Sequence, residues 1–270
     1  MELVAQQREE MQRNTMKKLL VAMVLAAMVG AAQATTFTLS NACPYDVWPG
    51  VLAAGGQPML SGSAAPTGFL LTAGQKVTLY AGAGWSGRFW GRTGCSFDGS
   101  GKGTCMTGDC GGQLACNGAG GSPPVTLAEF TLGTAGKPDF YDVSLVDGYN
   151  VGMAVAPVGG SGANCSVAGC TSDLLRDGGC PSQLQVTAMN PSGGPSLQVV
   201  ACRSACAAFG SPQFCCTGAF ANPQACAPST YSQLFKRACP TAYSYAFDDL
   251  TSTFTCLAAA SYTITFCPTS

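Results

Sequence analysis

The chain has 270 residues, enough for one large or two modest domains, with 16 cysteines, 13 basic and 14 acidic residues, and no histidine. The absence of histidine excludes mixed cysteine and histidine zinc sites and every mechanism that needs an imidazole base. A formal net charge of −1 argues against a nucleic-acid partner.

The N-terminus has the pattern of a secretory signal peptide. Met16-Lys17-Lys18 precedes an apolar run over residues 19–32, which ends in the small-residue site Ala32-Gln33-Ala34. We expect cleavage after Ala34, so that residues 1–34 lie outside the fold. Translation from Met1 and translation from Met16 are both compatible with this signal. Cleavage removes four basic and three acidic residues and leaves 9 basic against 11 acidic ones.

Short alternating segments then predict β-strands, separated by clusters of Gly, Pro, Ser and Asn. They lie at residues 35–41, 76–80, 126–132, 140–146 and 262–266. A further strand is expected at Phe254, and the last strand is predicted to rejoin the first sheet. The pattern indicates an all-β body in the mature chain, residues 35–270.

The Asp147-Gly148 pair lies between alternating runs at residues 140–146 and 149–155. Asp-Gly in that setting predicts a hairpin with a two-residue turn. Because side chains alternate along a strand, Tyr141, Val143 and Leu145 should share one face and Asp142, Ser144 and Val146 the other.

Residues 165–239 differ from the rest, with nine cysteines in 75 residues and weak alternation. We interpret about 164–242 as a disulfide-rich lobe inserted into the β body, with helical pieces near 197–209 and 231–238. An even number of cysteines behind a secretory signal favours eight disulfides over metal sites. No repeated CxxC pair occurs, so we expect no metal and no cofactor.

The stretch 101–116, GKGTCMTGDCGGQLAC, holds three cysteines and five glycines. It has no helical or strand period, so covalent cross-links should fix it. Asp109 lies between Gly108 and Cys110, and an aspartate in a tight loop usually accepts backbone N–H groups. We therefore assign Asp109 a structural role.

These residues resemble the thaumatin-like family. The signature consists of Gly101, Cys105, Thr107-Gly108-Asp109-Cys110 and Cys116; NACPYDVWPG, FWGRTGC, QFCC and AYSYAFDD support it, and the resemblance spans 35–270. It implies a monomeric, mainly β fold: a flattened β-sandwich body with an inserted disulfide-rich lobe that contains short helices. It also implies eight disulfides, Cys43–Cys267, Cys95–Cys105, Cys110–Cys116, Cys165–Cys256, Cys170–Cys239, Cys180–Cys202, Cys206–Cys215 and Cys216–Cys226.

The resemblance further implies an acidic cleft between body and lobe. The matching positions are Arg88, Glu129, Asp142, Asp147 and one of Asp248 and Asp249, the sequence leaving that choice open. Neighbouring carboxylates raise one another's pKa and so supply an acid and a base, which makes Glu129 and Asp142 the catalytic candidates. Six aromatic residues lie near these acids in sequence, and at least half of them are expected in the core: Phe89, Trp90, Tyr141, Tyr149, Tyr243 and Tyr245.

Glu129 stands out independently of any resemblance. It is the only glutamate after residue 34, and it lies in the apolar run 127–132. Such a lone acid should face water, a cation or a ligand, and pairing with Arg88 is the simpler alternative.

The implied function is that of a secreted, plant-type antifungal defence protein, extracellular (apoplast) or vacuolar, that binds fungal cell-wall β-1,3-glucan or another polysaccharide. Weak hydrolysis of the glucan is left open. Alternatives are a non-enzymatic protein that perturbs fungal membranes or inhibits a foreign hydrolase such as a xylanase, and a role in stress or development. The long segment 55–67 and the acidic charge resemble the larger acidic branch, and a net charge of about −2 weakens electrostatic membrane attack. Asn164-Cys165-Ser166 is a formal glycosylation sequon whose cysteine we expect in a disulfide.

Overall fold

Two five-stranded sheets, packed face to face, carry the fold. The computed structural model describes Met16 and residues 34–134, 136–176, 178–189 and 197–269, so the predicted signal peptide lies almost wholly outside the described residues. The sheets have the strand orders β10-β9-β14-β1-β3 and β13-β8-β7-β4-β2, and β5–β6 and β11–β12 form two small sheets. The strands are β1 (Thr35–Asn41), β2 (Trp48–Ala53), β3 (Lys76–Ala81), β4 (Ser86–Arg92), β5 (Ser96–Phe97), β6 (Gly103–Thr104), β7 (Leu127–Thr131), β8 (Asp139–Ser144), β9 (Met153–Val158), β10 (Ala168–Cys170), β11 (Gln185–Met189), β12 (Leu197–Cys202), β13 (Phe254–Cys256) and β14 (Ser261–Phe266).

The predicted strands are confirmed, including the return of the chain to its first sheet. Strand β14 runs parallel to β1, with Phe37 opposite Tyr262. The disulfide Cys43–Cys267 then joins the segments that follow these two strands. The first and last strands are thereby fixed in the same sheet.

Aromatic rings fill the space between the two sheets. The ring of Phe37 in the first sheet lies 4.9 Å from that of Phe89 and 4.8 Å from that of Phe130 in the second. Tyr262 lies 5.2 Å from both Phe130 and Tyr141. This interdigitation of two inner faces is that of a β-sandwich, as the resemblance implied.

The predicted hairpin at Asp147-Gly148 is wrong. Both edges of β8 are already paired, with β7 and β13, so β9 joins the other sheet instead. Tyr149 bonds through its N–H and C=O to Cys202, at 2.8 and 2.7 Å. Gly148 has φ +98°, and a Cβ there would lie 2.7 Å from the Cys202 carbonyl oxygen. The turn therefore sends the chain from one sheet to the other, although the alternation along β8 itself is as predicted.

Short helices occupy the disulfide-rich lobe and the segment after it. They are α1 (Ala205–Phe209), α2 (Pro212–Cys215), α3 (Thr230–Ala238) and α4 (Asp249–Ser252), with 3-10 turns at Ser182–Leu184 and Gly218–Phe220. The helix predicted at 231–238 is α3. The one predicted over 197–209 is wrong in its first half, because Leu197–Cys202 pairs with β11 and the helix begins only after Ser204, whose Oγ accepts the Ala207 N–H. Among the described helices, none has the length and apolar character needed to cross a membrane.

The sixteen cysteines form eight disulfides, the same pairs that the resemblance implied. Cys170–Cys239 closes the base of the lobe, and Cys165–Cys256 ties its start to β13. The Asn164 side-chain amide in the sequon donates to the Thr253 carbonyl at 2.7 Å.

Asp109 holds the loop 101–116 from within. Its Oδ2 accepts the Cys105 N–H at 2.9 Å and its Oδ1 the Gly112 N–H at 2.7 Å. The structural role predicted for Asp109 is confirmed.

Arg92 ties the same loop to the body. The side chain is fully buried and donates to the carbonyls of Trp48 (3.0 Å), Gln113 (2.8 Å) and Leu114 (2.7 Å). Burial lowers the pKa of the guanidinium to about 10, and the nearby Asp109 opposes that shift. Arg92 therefore joins the loop to strand β2 through hydrogen bonds to backbone carbonyls.

Candidate functional site

Arg88, Glu129 and Asp142 form a row across three adjacent strands. Arg88 on β4 is directly opposite Glu129 on β7, which is directly opposite Asp142 on β8. Directly opposite residues have Cβ atoms about 4.5–5.5 Å apart. Their chain neighbours Phe89, Phe130 and Tyr141 point into the core, so the row lies on the outer face of the sheet.

Two adjoining cavities, of about 660 and 370 Å³, share this row. The larger extends toward Gly55–Met59, within the long segment noted in the sequence. The smaller extends toward Asp147, in the turn after β8, and Asp249, at the start of α4. We call the two together the groove.

Asp249, and not Asp248, lines the groove. The Asp249 Oδ1 accepts the Tyr243 hydroxyl at 2.8 Å. The Asp248 Oδ2 lies 2.9 Å from the Lys236 Nζ and accepts both the N–H and the hydroxyl of Ser244. With a side chain only 12% exposed, Asp248 braces the loop under the groove, and its place among the candidate cleft residues is corrected.

The Glu129 carboxyl lies near two charged groups, the guanidinium of Arg88 and the carboxyl of Asp147. The Arg88 Nη1 lies 4.0 Å from the Glu129 Oε1, with side chains 43% and 39% exposed. A long ion pair at that exposure contributes little to stability. Burial raises the pKa of Glu129, Arg88 lowers it, and Asp147 raises it further. The pairing of Glu129 with Arg88 thus coexists with an open face toward the groove.

Among the carboxyls of the site, Asp142 has the pKa that is shifted furthest from its ordinary value. Burial raises its pKa to about 8, with further contributions from Glu129 and Asp249. Its Oδ1 is buried and has no hydrogen-bond partner among the described residues. At neutral and acidic pH Asp142 therefore holds a proton that it can donate to a ligand.

Of the aromatic residues named from the sequence, only Tyr243 borders the acids of the groove with its hydroxyl. Phe89, Trp90, Tyr141 and Tyr149 are buried, and Tyr245 lines a neighbouring cavity. Sequence reasoning missed Phe140, which is 47% exposed and lines the groove. Its signal was its position two residues before Asp142, which puts both side chains on the same outer face.

The groove combines carboxylate acceptors, one guanidinium and one protonated carboxyl with two aromatic side chains. Hydroxyl-rich ligands need such donors and acceptors, and aromatic faces pack on their C–H surfaces. Within the part of the chain that the structure describes, no group of three or more acidic, cysteine or histidine side chains is spaced to hold a metal ion.

Comparison with known proteins gives a consistent result. Residues 41–268 match the Thaumatin family. "Pathogenesis-related thaumatin-like protein 3.5" of Cryptomeria japonica is 61% identical over 239 residues, which cover 88% of this chain and 92% of that protein. "Pathogenesis-related protein 5" of Arabidopsis thaliana is 58% identical over 238 residues, 88% of this chain and 92% of that one. A Prunus avium protein named "Glucan endo-1,3-beta-glucosidase" is 48% identical over 257 residues, 94% of this chain and 100% of its own length.

Proposed function

The chain belongs to the thaumatin family, and from that premise we propose that it is a secreted plant defence protein that binds β-1,3-glucan of fungal walls in the groove. The observation that carries the proposal is the aligned row of Arg88, Glu129 and Asp142 at the centre of an extended, open groove. The name of the Prunus avium relative supports the choice of polysaccharide.

The shape and chemistry of the groove suit a chain of sugars. The cavity of about 660 Å³ alone is in the range of ligand sites, and the second prolongs it along the sheet. Glu129, Asp147 and Asp249 offer acceptors to sugar hydroxyls, and Phe140 offers an exposed ring. An extended ligand would contact all of them at once.

The same residues supply what slow hydrolysis of the glucan requires. Glycoside hydrolysis uses one protonated and one ionised carboxyl on either side of the scissile bond. Asp142 holds its proton to about pH 8, so we assign it the general acid. Arg88 favours the ionised form of Glu129, so Glu129 takes the role of base or nucleophile.

The test is retention on insoluble β-1,3-glucan, with cellulose as the control polymer. Glu129→Ala and Asp142→Ala should each weaken binding about tenfold, because each removes a polar contact made in the groove. Asp46→Ala removes the same kind of carboxyl from an exposed loop outside the groove and should bind as the wild type does. Equal retention of all four proteins would show that the groove is not the site.

Hydrolysis is measured separately, as reducing ends released from soluble β-1,3-glucan. Asp142→Asn should lower the rate at least about a hundredfold, the usual contribution of a general acid. A rate unchanged in Asp142→Asn would refute the catalytic assignment while leaving the binding proposal intact.

A further inference from the structure

A third cavity, of about 150 Å³, lies where the disulfide-rich lobe meets the groove. It shares Val146, Asp147 and Ala246 with the groove, so the two spaces adjoin. The disulfides Cys206–Cys215 and Cys216–Cys226 form part of its wall. We call it the lobe cavity.

The walls of the lobe cavity are fixed in place. Cross-links hold α1 to α2 and α2 to the segment before α3. The ring of Phe214 in the wall packs against Phe209 and Tyr231, with centroids 5.6 and 5.9 Å apart. Phe235, which is buried in the main core, also lines the cavity. A ligand would therefore enter a preformed space.

Polar side chains of two kinds line this space. The hydroxyls of Ser204 and Ser244 are engaged, with the Ala207 N–H and with Asp248 respectively. Three other groups, the Asp147 carboxylate, the Gln213 amide and the Tyr245 hydroxyl, line the cavity and make no side-chain hydrogen bond to another described residue. A purely apolar ligand would remove water from these groups without replacing its hydrogen bonds, which is costly.

We infer that the lobe cavity binds the terminal sugar ring of the glucan chain that lies in the groove, an inference that rests on the proposed function. Its volume matches roughly one six-membered ring. The C–H faces of a sugar ring would pack on Phe214 and the disulfides, and its hydroxyls would bond to Asp147, Gln213 and Tyr245. Because a space of about 150 Å³ takes one ring and no more, the ring that enters it is the end of the chain, and the cavity so fixes the direction in which the glucan lies.

The test is the affinity for β-1,3-linked glucose oligosaccharides from the disaccharide to the heptasaccharide, measured by titration calorimetry. If the lobe cavity takes the end of the chain, affinity for the wild type should rise by about tenfold at the length that first reaches it, the effect of one or two added hydrogen bonds. Ala207→Trp fills the cavity from an exposed wall position and should abolish that step while leaving shorter oligosaccharides unaffected.

Two further variants separate the cavity from general effects on the lobe. Ala219→Trp places the same ring on an exposed surface of the lobe outside the cavity and should keep the step. Tyr245→Phe removes one hydroxyl without adding volume and should reduce the step. Near-ultraviolet circular dichroism checks that each variant keeps the native packing.

The outcomes distinguish this inference from the proposed function. Loss of the length-dependent step in Ala207→Trp, with the step retained in Ala219→Trp, supports the lobe cavity as the end subsite. Identical length profiles in all four proteins overturn it and leave the groove as the site. A wild type that binds none of the oligosaccharides overturns the proposed function and the end subsite together.

Discussion

Replacing Asp142 with asparagine should remove a decline in stability that the wild-type protein undergoes as the pH rises. The carboxyl has a pKa of about 8 in the folded protein, against an ordinary value of 3.8. Asparagine has nearly the same shape and never ionises. The variant therefore isolates the effect of one proton at the centre of the groove.

The sign follows from which state binds the proton. Below about pH 4 the carboxyl is protonated in both the folded and the unfolded chain. Between about pH 4 and 8 the folded protein keeps the proton and the unfolded chain has lost it, so the free energy of unfolding falls as the pH rises. The slope is about 1.4 kcal/mol for each pH unit. By about pH 7 the wild type should have lost of the order of 4 kcal/mol relative to the variant.

The assay is unfolding by guanidinium chloride with the disulfides intact, at several pH values from about 4 to 8. Wild type and Asp142→Asn should be about equally stable at the acidic end and diverge toward neutral pH, with the variant the more stable. Asp46→Asn, which alters an exposed carboxyl, should follow the wild type. Parallel curves for wild type and Asp142→Asn would refute the reasoning, because they would mean that Asp142 ionises normally in the folded protein.

The remaining predictions concern two cations, Arg92, which is buried, and Lys236, which is partly buried. Arg92→Met should lower the free energy of unfolding by about 3–5 kcal/mol because it leaves buried carbonyls without donors. Arg176→Met, at a largely exposed ion pair, should change that free energy by less than about 1 kcal/mol. Urea titration measures both effects. Lys236→Met removes the ammonium that holds Asp248 at 2.9 Å. It should cost about 2–3 kcal/mol and weaken glucan retention, while the exposed neighbour Arg237→Met should do neither.

The alternation of side chains along single strands predicted which side chains of the site share a face. Alternation along residues 140–146 placed Tyr141 and Asp142 on opposite faces of the strand, and the lone Glu129 in an apolar strand was expected to face water, a cation or a ligand, as it does in the groove. Those inferences need only the period of a strand, which is a property of the backbone. The resemblance supplied what periodicity cannot, namely which strands are neighbours and which cysteines pair.

The failures have one physical cause, which is competition from distant partners. Asp147-Gly148 has the chemistry of a hairpin turn, but β8 already has a neighbour on each side and the next strand must go elsewhere. The helix predicted over 197–209 lost its first half because β11 offered a hydrogen-bonding edge. The choice between Asp248 and Asp249 depended on Lys236, twelve residues earlier on another helix. None of these partners can be identified from the local sequence.

The groove and the disulfides are connected through stability. Holding a carboxyl beside Glu129 and Asp249 in a partly buried row costs several kcal/mol at neutral pH, as the Asp142 pKa shows. Such a cost is typical of a functional site and is offset elsewhere in the molecule. In the chain-entropy model the Cys43–Cys267 bridge alone, which spans 224 residues, stabilises the fold by about 5 kcal/mol. The disulfides therefore offset the cost of the row Arg88, Glu129 and Asp142. Packing alone would disfavour these charged and polar side chains at the centre of the sheet.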